Sequence, residues 1–378
     1  MAKDLYIGLM SGTSLDGIDA ALVRFENEQP TVIETTCLPL PSSLKDEIKS
    51  LTSPSDNEIN RLMALDVQLG QLFSETVNEL VNKAKIKKVD GLNLTKENIA
   101  AIGSHGQTLR HYPTAEHPST LQIADPNIIA ETTGITTIAD FRRRDIAAGG
   151  QGAPLVPAFH EQIFRDRHKN RVILNLGGIA NITILPADEN IPATGFDTGP
   201  ANTLMNHWIQ QQQNKNYDEG GKWAASGTVN EDFLKELLND DYFKLVPPKS
   251  TGTEYFNPAW LTKKLSAFPF LSAEDVQASL TALTATTIKD AIKLCKFEID
   301  ELIICGGGVH NNFLLQQLQQ ALPNIEINSS TKYDLDPDYI EATAFAWLAK
   351  QTMEHKVGNL PEVTGAKRAV VLGGVYYS

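Results

Sequence analysis

A chain of 378 residues exceeds what one ordinary hydrophobic core supports, so we expect two domains. Its 42% apolar and 21% charged residues indicate a globular protein, and its formal net charge of −13 argues against nucleic acid and anionic membranes as partners. Three widely spaced cysteines argue against a disulfide framework and fit a reducing, cytoplasmic setting. The N-terminus shows no signal-peptide core, and no apolar run reaches about 18 residues, so no membrane span is expected.

The first predicted element is a strand that runs into a small, hydroxyl-rich, acid-bearing turn within residues 8–19. Strands are predicted at 5–12, 18–25 and 31–38, the first two antiparallel. Glycines in the turn keep Cβ atoms away, hydroxyl and N–H groups can donate to a phosphate, and the acids can hold a cation. A plain surface turn is the alternative, because Gly, Ser and Asp favour turns for local reasons. The turn leads into a strand and lacks Gly-Lys-Ser/Thr, so it is not a P-loop.

A long amphipathic helix is predicted over 55–85, opened by a Ser-x-x-Glu capping box. A buried strand at 98–103, a helix at 126–133 and a strand at 135–138 follow. The resulting order, βββ-α-β-α-β, predicts one α/β domain over residues 1–140.

Residues 141–378 are predicted to form a second α/β domain that repeats this topology. The segment 171–185 again indicates a strand, a Gly-rich polar turn and a strand. Helices are predicted at 272–296 and 337–354, with a strand and three consecutive glycines between them. The stretch 206–260 contains a glutamine run and paired Gly and Pro residues, which predict an insertion of peripheral helices and loops.

Two copies of one topology, each opening with a Gly-rich hairpin, indicate two half-sites for the phosphates of a nucleotide. Ligands in such folds sit in a cleft between the halves. Closure of that cleft would exclude water.

Six spaced motifs give the chain a specific resemblance to the anhydro-N-acetylmuramic acid kinases. This family belongs to the sugar kinase, heat-shock protein and actin superfamily of ATPases. The motifs lie at 10–19, 104–108, 140–142, 147–155, 175–181 and 195–200. The resemblance runs from about residue 5 to the C-terminus, and it implies an α/β, two-domain actin-like ATPase fold with duplicated ribonuclease H-like βββαβα units and a central cleft.

The resemblance also implies an activity. A member of this family opens the 1,6-anhydro ring of anhydro-N-acetylmuramic acid with water, phosphorylates O6 with ATP, and yields N-acetylmuramic acid 6-phosphate and ADP in peptidoglycan recycling. ATP, Mg²⁺ and a cytoplasmic homodimer are implied with it. A kinase for another amino sugar on the same fold is the first alternative. An actin-like or chaperone-like ATPase and a Ser-His-Asp hydrolase rank below it, the latter because the Gly-x-Ser-x-Gly elbow is missing.

The nucleotide-binding residues that the resemblance implies lie in three Gly-rich turns. They are Gly12, Thr13, Ser14, Leu15, Asp16, Gly17, Ile18, Asp19, Asn175, Gly177, Gly178, Gly306, Gly307 and Gly308. Gly306, Gly307 and Gly308 resemble the turn on the adenosine side of the nucleotide. A tight strand–helix connection is the alternative for these three consecutive glycines. Leu9 and Asn175 stand where many superfamily members carry Asp, so the metal must be held differently, and Asp16 and Asp19 are its candidate ligands.

Asp197 is the candidate catalytic residue, because the family's catalytic aspartate matches it. Glycine and proline on either side predict a sharp turn, with a helix following over 202–210. As a general base, the carboxylate would take a proton from the attacking water. An N-cap role for the following helix is the alternative.

The candidate sugar-binding residues are His105, Gln107, Arg142, Gly150 and Gln151. A neutral imidazole both donates and accepts, and an Arg suits the lactyl carboxylate of a muramic sugar. The alternatives are a buried structural His and a solvated run of charges at 142–144.

Overall fold

The structure, a computed structural model, describes residues 4–87 and 95–378. Its contacts group the chain into two compact units, Met1–Ile163 with Tyr339–Ser378, and Phe164–Asp338. These units differ from the expected division into 1–140 and 141–378, because the end of the chain packs with the first unit.

The secondary structure alternates between strands and helices along the chain. The strands are β1 (Leu5–Ser11), β2 (Gly17–Glu26), β3 (Gln29–Pro39), β4 (Ile99–Tyr112), β5 (Ser119–Ile123), β6 (Thr137–Ala139), β7 (Arg171–Leu176), β8 (Ile179–Leu185), β9 (Thr194–Pro200), β10 (Glu301–Cys305), β11 (Glu326–Ser329) and β12 (Gly374–Tyr376). The α-helices are α1 (Ser42–Leu51), α2 (Glu58–Lys87), α3 (Pro126–Thr133), α4 (Phe141–Ala147), α5 (Val156–Phe164), α6 (Asn202–Gln213), α7 (Glu231–Leu238), α8 (Asp241–Lys244), α9 (Pro258–Leu265), α10 (Ala273–Ile292), α11 (Asn312–Ala321), α12 (Ile340–Met353) and α13 (Pro361–Thr364). Short 3-10 helices cover Lys96–Asn98, Glu219–Gly221, Ala224–Ser226, Gly307–His310, Ser330–Tyr333 and Pro337–Tyr339.

Each unit contains one mixed sheet, and the two sheets share a strand order. The first runs β3-β2-β1-β4-β6, with β12 beyond β6 and β5 paired with β4, and the second runs β9-β8-β7-β10-β11. In both, the first three strands pair antiparallel and the next two join in parallel. This repetition confirms the α/β class and the duplicated βββαβα topology. The central cleft stays a prediction.

One face of the first sheet forms a core with α2. Alternate residues of β1 point to this face, and Leu9 joins Phe73 of α2 in one buried cluster. The predicted long helix is confirmed, but it begins at Glu58, whose carboxylate accepts a hydrogen bond from the backbone N–H of Ser55. Among the helices of the described residues, none combines the length and apolarity that a bilayer crossing needs.

The other face of this sheet carries α12 in unusually close contact. A Cβ atom added to Gly8 would lie 1.7 Å from the carbonyl oxygen of Ala342, and one added to Gly103 would lie 2.0 Å from that of Phe345. Only glycine lets a helix backbone lie this near a strand. The predicted last helix therefore exists, and its packing explains why residues from Tyr339 onward belong to the first unit.

The second sheet packs against α10, the predicted helix that Ser272 caps. The stretch 206–260 contributes helices to this unit, but they are not all peripheral as predicted. Phe233 and Phe256 are fully buried in the same cluster as the strands. The glutamine run does form the exposed end of α6.

Several elements were absent from the prediction. They are helices α1, α4, α5 and α13 and strands β5, β9, β11 and β12. Strand β4 does not end near residue 103 but continues to Tyr112, because β5 pairs with its second half. The segment 104–108 therefore lies within a strand and does not follow one.

Candidate active site

The first Gly-rich turn joins β1 to β2. Thr13, Ser14 and Asp16 are exposed, whereas Leu15 is buried with a left-handed φ of 59° and donates its N–H to the carbonyl oxygen of Gly12 at 3.2 Å. Ile18 is also buried. The two apolar side chains thus anchor the turn. The hydroxyls of Thr13 and Ser14 and the carboxylate of Asp16 are exposed beside each other, as an anion with its cation requires.

The two glycines of this turn serve different purposes. A Cβ added to Gly12 would meet no atom nearer than Ser14 Oγ, at 3.8 Å. A Cβ added to Gly17 would lie 2.7 Å from Cys37 Sγ and 2.8 Å from the carbonyl oxygen of Leu38. Gly12 therefore leaves open space above the turn, and Gly17 is required by the packing of β2 on β3.

Gln107 braces this turn from β4. The side chain is 1% exposed, its Oε1 lies 2.8 Å from Ser11 Oγ, and its Nε2 donates to the carbonyl oxygen of Thr108 at 3.2 Å. Its amide is thus engaged inside the first unit, where it fixes the end of β1 next to the turn.

The two candidate metal ligands lie in different surroundings. Asp16 is exposed in the turn, whereas Asp19 is half-buried on β2. The pKa of the Cys37 thiol is raised to about 12, first by the burial of Cys37 and next by the negative charge of Asp19. Across residues 4–87 and 95–378, no group of three or more His, Cys, Asp or Glu side chains is placed to hold an ion. Because Mg²⁺ usually takes one or two carboxylates with phosphates and waters, the exposed Asp16 fits such an ion.

The second Gly-rich turn joins β7 to β8 and is held by the start of α6. Backbone N–H groups of Ala201 and Thr203 donate to the carbonyl oxygen of Gly178 at 2.9 Å and 3.1 Å, and that of Asn202 donates to Gly177 at 3.1 Å. A Cβ on Gly178 would lie 2.5 Å from Thr203 Oγ1. This turn is therefore a closely packed backbone loop.

The three consecutive glycines pack against the same turn. A Cβ on Gly306, whose φ is 80°, would lie 2.3 Å from Asn175 Oδ1, and one on Gly308 would lie 2.5 Å from Leu176 Cβ. A Cβ on Gly307 would meet nothing within 4 Å. The structure thus brings the predicted residues of the second unit into one constellation. It adds Asn202, which the sequence reasoning missed and which donates from Nδ2 to the carbonyl oxygen of Leu176 at 3.0 Å.

Asp197 lies on β9 opposite Asn181, and not in the sharp turn that was predicted. It does not cap α6, whose N-cap residue is Ala201, so the N-cap alternative is wrong. The following helix is confirmed but extends to Gln213.

A strap at 249–254 and the Tyr242 hydroxyl hold this aspartate. Asp197 donates its N–H to the carbonyl oxygen of Lys249 at 3.1 Å, and its Oδ2 accepts from the N–H of Thr251 at 2.9 Å. The hydroxyl of Tyr242 donates to the Asp197 carbonyl oxygen at 2.6 Å. Backbone and side chain are therefore both fixed.

The electrostatics of Asp197 suit proton transfer near neutral pH. Its pKa is raised to about 6, chiefly by burial; the hydrogen bond from Thr251 opposes this rise, and repulsion from Glu254 adds to it. A carboxylate with a pKa just below the working pH is ionised yet still basic, which is what a general base requires.

His105 and Arg142 form a buried pair in the first unit. The His105 ring packs against Phe345 with centroids 4.8 Å apart, and its Nδ1 donates to the carbonyl oxygen of Gly106 at 2.9 Å. Its Nε2 accepts from Arg142 Nε at 3.0 Å, and Arg142 Nη1 donates to the carbonyl oxygen of Gly152 at 2.8 Å. Burial, and then Arg142, hold the pKa of His105 well below its usual value, so the ring is neutral.

This pairing changes the picture of the arginine run. Arg142 is not part of a solvated charge run, and its guanidinium is engaged by protein groups. Arg143 is exposed and donates from Nε to Asp140 Oδ1 at 2.6 Å.

Glu341 completes this group and was missed. Burial lowers the pKa of Arg142 to about 10, and Glu341 is the first of the groups that oppose the shift. Burial raises the pKa of Glu341, Arg142 lowers it, and Asp19 raises it. The sequence signal was a lone acid in the first turn of a largely apolar helix.

The glycine loop after α4 is organised by Asp145, which is fully buried. Its Oδ2 accepts from the N–H of Gly152 at 2.7 Å, and a Cβ on Gly150 would lie 2.2 Å from that oxygen. Asn359 and Thr364 donate to its Oδ1 at 2.6 Å and 2.8 Å. The Gln151 side chain is exposed beside this hydrogen-bond network, where it is available to a ligand.

Comparison with known proteins agrees with the motifs over the whole chain. A sequence model described as anhydro-N-acetylmuramic acid kinase matches residues 4–378. A Coxiella burnetii protein of that name is 49% identical over 377 residues, covering 100% of this chain and 98% of the relative, and one from a Shewanella species is 52% identical over 378 residues, covering 99% of each. A solved structure, the activator of the 2-hydroxyisocaproyl-CoA dehydratase from Clostridium difficile, is 13% identical with a TM-score of 0.46 and covers 93% of this chain and 97% of its own. By its full-length family match and its relatives at about half identity, the chain belongs to the anhydro-N-acetylmuramic acid kinase family.

Proposed function

We propose that this chain is an ATP-dependent kinase that hydrolytically opens the 1,6-anhydro ring of anhydro-N-acetylmuramic acid and phosphorylates O6. The products are N-acetylmuramic acid 6-phosphate and ADP, which places the reaction in peptidoglycan recycling. Family membership supports the substrate. The structural observation that carries the chemistry is Asp197, a carboxylate with its Oδ2 fixed at 2.9 Å by the Thr251 N–H and a pKa of about 6.

Asp197 acts as general base in this proposal. A water molecule attacks the anomeric carbon and gives one proton to the carboxylate, while the bond between the anomeric carbon and O6 breaks and leaves its electron pair on O6. That oxygen attacks the γ-phosphorus of ATP, and the bond to ADP breaks. Ring opening thus generates the nucleophile, so no second base is needed for the sugar hydroxyl.

The Gly-rich turns bind the triphosphate in this proposal. The first offers the hydroxyls of Thr13 and Ser14 with the carboxylate of Asp16, all exposed. The second offers the backbone of Gly177 and Gly178. The third, where the space over Gly307 is open, lies on the adenosine side. Phosphoryl transfer depends mostly on positioning and charge neutralisation, which these groups supply.

Mg²⁺ belongs to the same proposal, with the exposed Asp16 as its protein ligand and the half-buried Asp19 as a second candidate. When bound, the ion neutralises phosphate charge. A cytoplasmic location and a homodimer, taken from the family resemblance, are also proposed. Size-exclusion chromatography with light scattering tests the dimer.

A coupled ADP-release assay against a panel of sugars tests the proposed function. We expect turnover with anhydro-N-acetylmuramic acid and little with ordinary N-acetylhexosamines; turnover that favours another amino sugar would support the alternative kinase. Reaction in heavy-oxygen water should place the label at the anomeric hydroxyl. Label in phosphate, with ADP release that ignores sugar, would contradict the proposal and indicate simple ATP hydrolysis.

A further inference from the structure

The first unit contains a cavity of about 280 Å³ that the proposed mechanism does not use. Its wall is formed by α2, by the middle of β4, by β5 and the start of α3, by the end of β6, and by β12.

A buried hydroxyl without a partner lies at this cavity. Ser104 is 1% exposed, and its Oγ has no hydrogen-bond partner among the residues that the structure describes. In the β1–β4 register Ser104 lies beside Leu9, whose side chain faces α2, so the Ser104 side chain is on that face as well. Buried hydroxyls normally find a partner, and one that has none points to a ligand.

The backbone around the cavity is strained at two positions. Ala124 has a φ of 111° and Asp140 a φ of 61°, and both residues line the cavity. The N–H of Ala124 donates to Asp66 Oδ1 at 2.8 Å. Strained backbone concentrates at ligand sites because the surrounding structure must hold it there.

The charges of the lining favour a neutral ligand group. Two carboxylates, Asp66 and Asp140, line the cavity with one guanidinium, Arg143, which already pairs with Asp140. A further carboxylate, such as a lactyl group, would meet a negative surface here. A hydrogen-bonding amide would not, and the buried side chains of Ile123 and Ala124 offer a surface for a methyl group.

We infer that this cavity receives the acetamido group of an N-acetylated sugar. The amide carbonyl accepts from Ser104 Oγ, the amide N–H donates to Asp66, and the methyl group packs against Ile123 and Ala124. The inference rests on the proposed function for the identity of the sugar, and it adds the group by which the sugar is selected.

Calorimetric titration of the full chain without nucleotide tests this inference. The two ligands are 1,6-anhydro-N-acetylglucosamine and 1,6-anhydroglucose, which differ only in the acetamido group. We expect the wild type to bind the acetylated sugar more tightly. Ser104→Ala should lower that affinity about tenfold, the usual effect of losing one buried hydrogen bond, and leave the affinity for anhydroglucose unchanged.

Ser74→Ala is the matched control, because Ser74 is also fully buried but donates to the carbonyl oxygen of Gly70 on α2. Thermal melting checks that each variant folds. Asp66→Asn keeps an acceptor for Ala124 and should lose affinity for the acetylated sugar alone. Equal binding of both sugars by the wild type, or an equal loss for both in Ser104→Ala, would overturn the inference.

The outcomes separate this inference from the proposed function. Acetamido-selective binding that depends on Ser104, without ADP release from anhydro-N-acetylmuramic acid, would support the cavity and refute the kinase proposal. Turnover of that substrate with no effect of Ser104→Ala on selectivity would refute the cavity alone.

Discussion

The two Gly-rich hairpin turns occupy equivalent places in equivalent sheets, yet they are built differently. The first, Gly12–Asp16, exposes hydroxyls and a carboxylate and is anchored by the buried Leu15. The second, at Gly177 and Gly178, is held by three backbone hydrogen bonds from the start of α6 and by close contact with its neighbours.

This difference shows that two units of the same topology can contribute different groups to a site. The first turn offers side chains whose loss should alter ligand binding and leave the fold intact. The second unit offers closely packed backbone and one fixed carboxylate, so changes there should affect either folding or chemistry. Four predictions test that division, from the largest expected effect to the smallest.

The largest effect is expected at the carboxylate of the second unit. Asp197→Asn should lower kcat by about 10²- to 10⁴-fold, the range typical of a lost general base, while ATP binding stays intact. Steady-state kinetics and nucleotide titration measure the two quantities. Asp188→Asn, at an exposed turn of the same unit, is the control. A larger loss of kcat in Asp16→Asn than in Asp197→Asn would reverse the comparison.

The glycine run should separate packing from binding within the second unit. Gly308→Ala places a Cβ 2.5 Å from Leu176 Cβ, and we expect it to lower the free energy of unfolding by about 1–3 kcal/mol, as overpacking does. Gly307→Ala meets no atom within 4 Å and should keep the wild-type stability. Urea denaturation compares the pair. Equal losses in both variants would show that the turn is not locked by this contact.

The first turn should lose binding without losing stability. Gly12→Val places its side chain in open space, so we expect an unchanged melting temperature and an ATP affinity reduced about tenfold or more, equivalent to about 1.4 kcal/mol. Gly17→Ala, whose Cβ would contact Cys37 and Leu38, should instead reduce stability. Unaltered ATP affinity in Gly12→Val would exclude the turn from the phosphate site.

The smallest effect concerns the pH dependence of the reaction. A general base works when ionised, so kcat/KM should rise with pH through the Asp197 pKa of about 6 and fall away below it. Glu254 raises this pKa by repulsion, so Glu254→Gln should move the acid limb a few tenths of a unit to lower pH. The substitution should not move the strap residue Lys249, whose Nζ donates to the carbonyl oxygen of Tyr242 and whose own carbonyl oxygen accepts from the Asp197 N–H. Glu219→Gln, at an exposed position in a 3-10 helix of the same unit, is the control. If Glu254→Gln leaves the acid limb where it is, Glu254 does not raise the Asp197 pKa.

The sequence predicted those parts of the fold whose signals are local. Apolar residues beside Gly-rich turns identified both hairpins. The capping residues Asp125 and Ser272 marked the first residues of α3 and α10. The predicted strand near 98–103 ended too early because its continuation depends on pairing with β5, which no local pattern records.

The candidate site was predictable as a set of residues, but their surroundings were not. In the sequence, Arg142 lies in a run of three arginines that is typical of a solvated surface. In the structure it donates hydrogen bonds to His105 of β4 and to the carbonyl oxygen of Gly152, which no local pattern records. Asp197 was found through a motif, while its environment comes from a strap more than 50 residues later. Glu341 lay in a helix that was predicted, but only its packing against the first sheet gave it a partner.

The contact of α12 with Gly8 and Gly103 has a consequence for biosynthesis. A ribosome delivers β1 and β4 long before residues 340–353, whereas the second unit is made from one uninterrupted stretch, 164–338. That stretch can therefore acquire its tertiary structure before α12, the helix that covers one face of the first sheet, has been synthesised. The unit that emerges first is the one completed last.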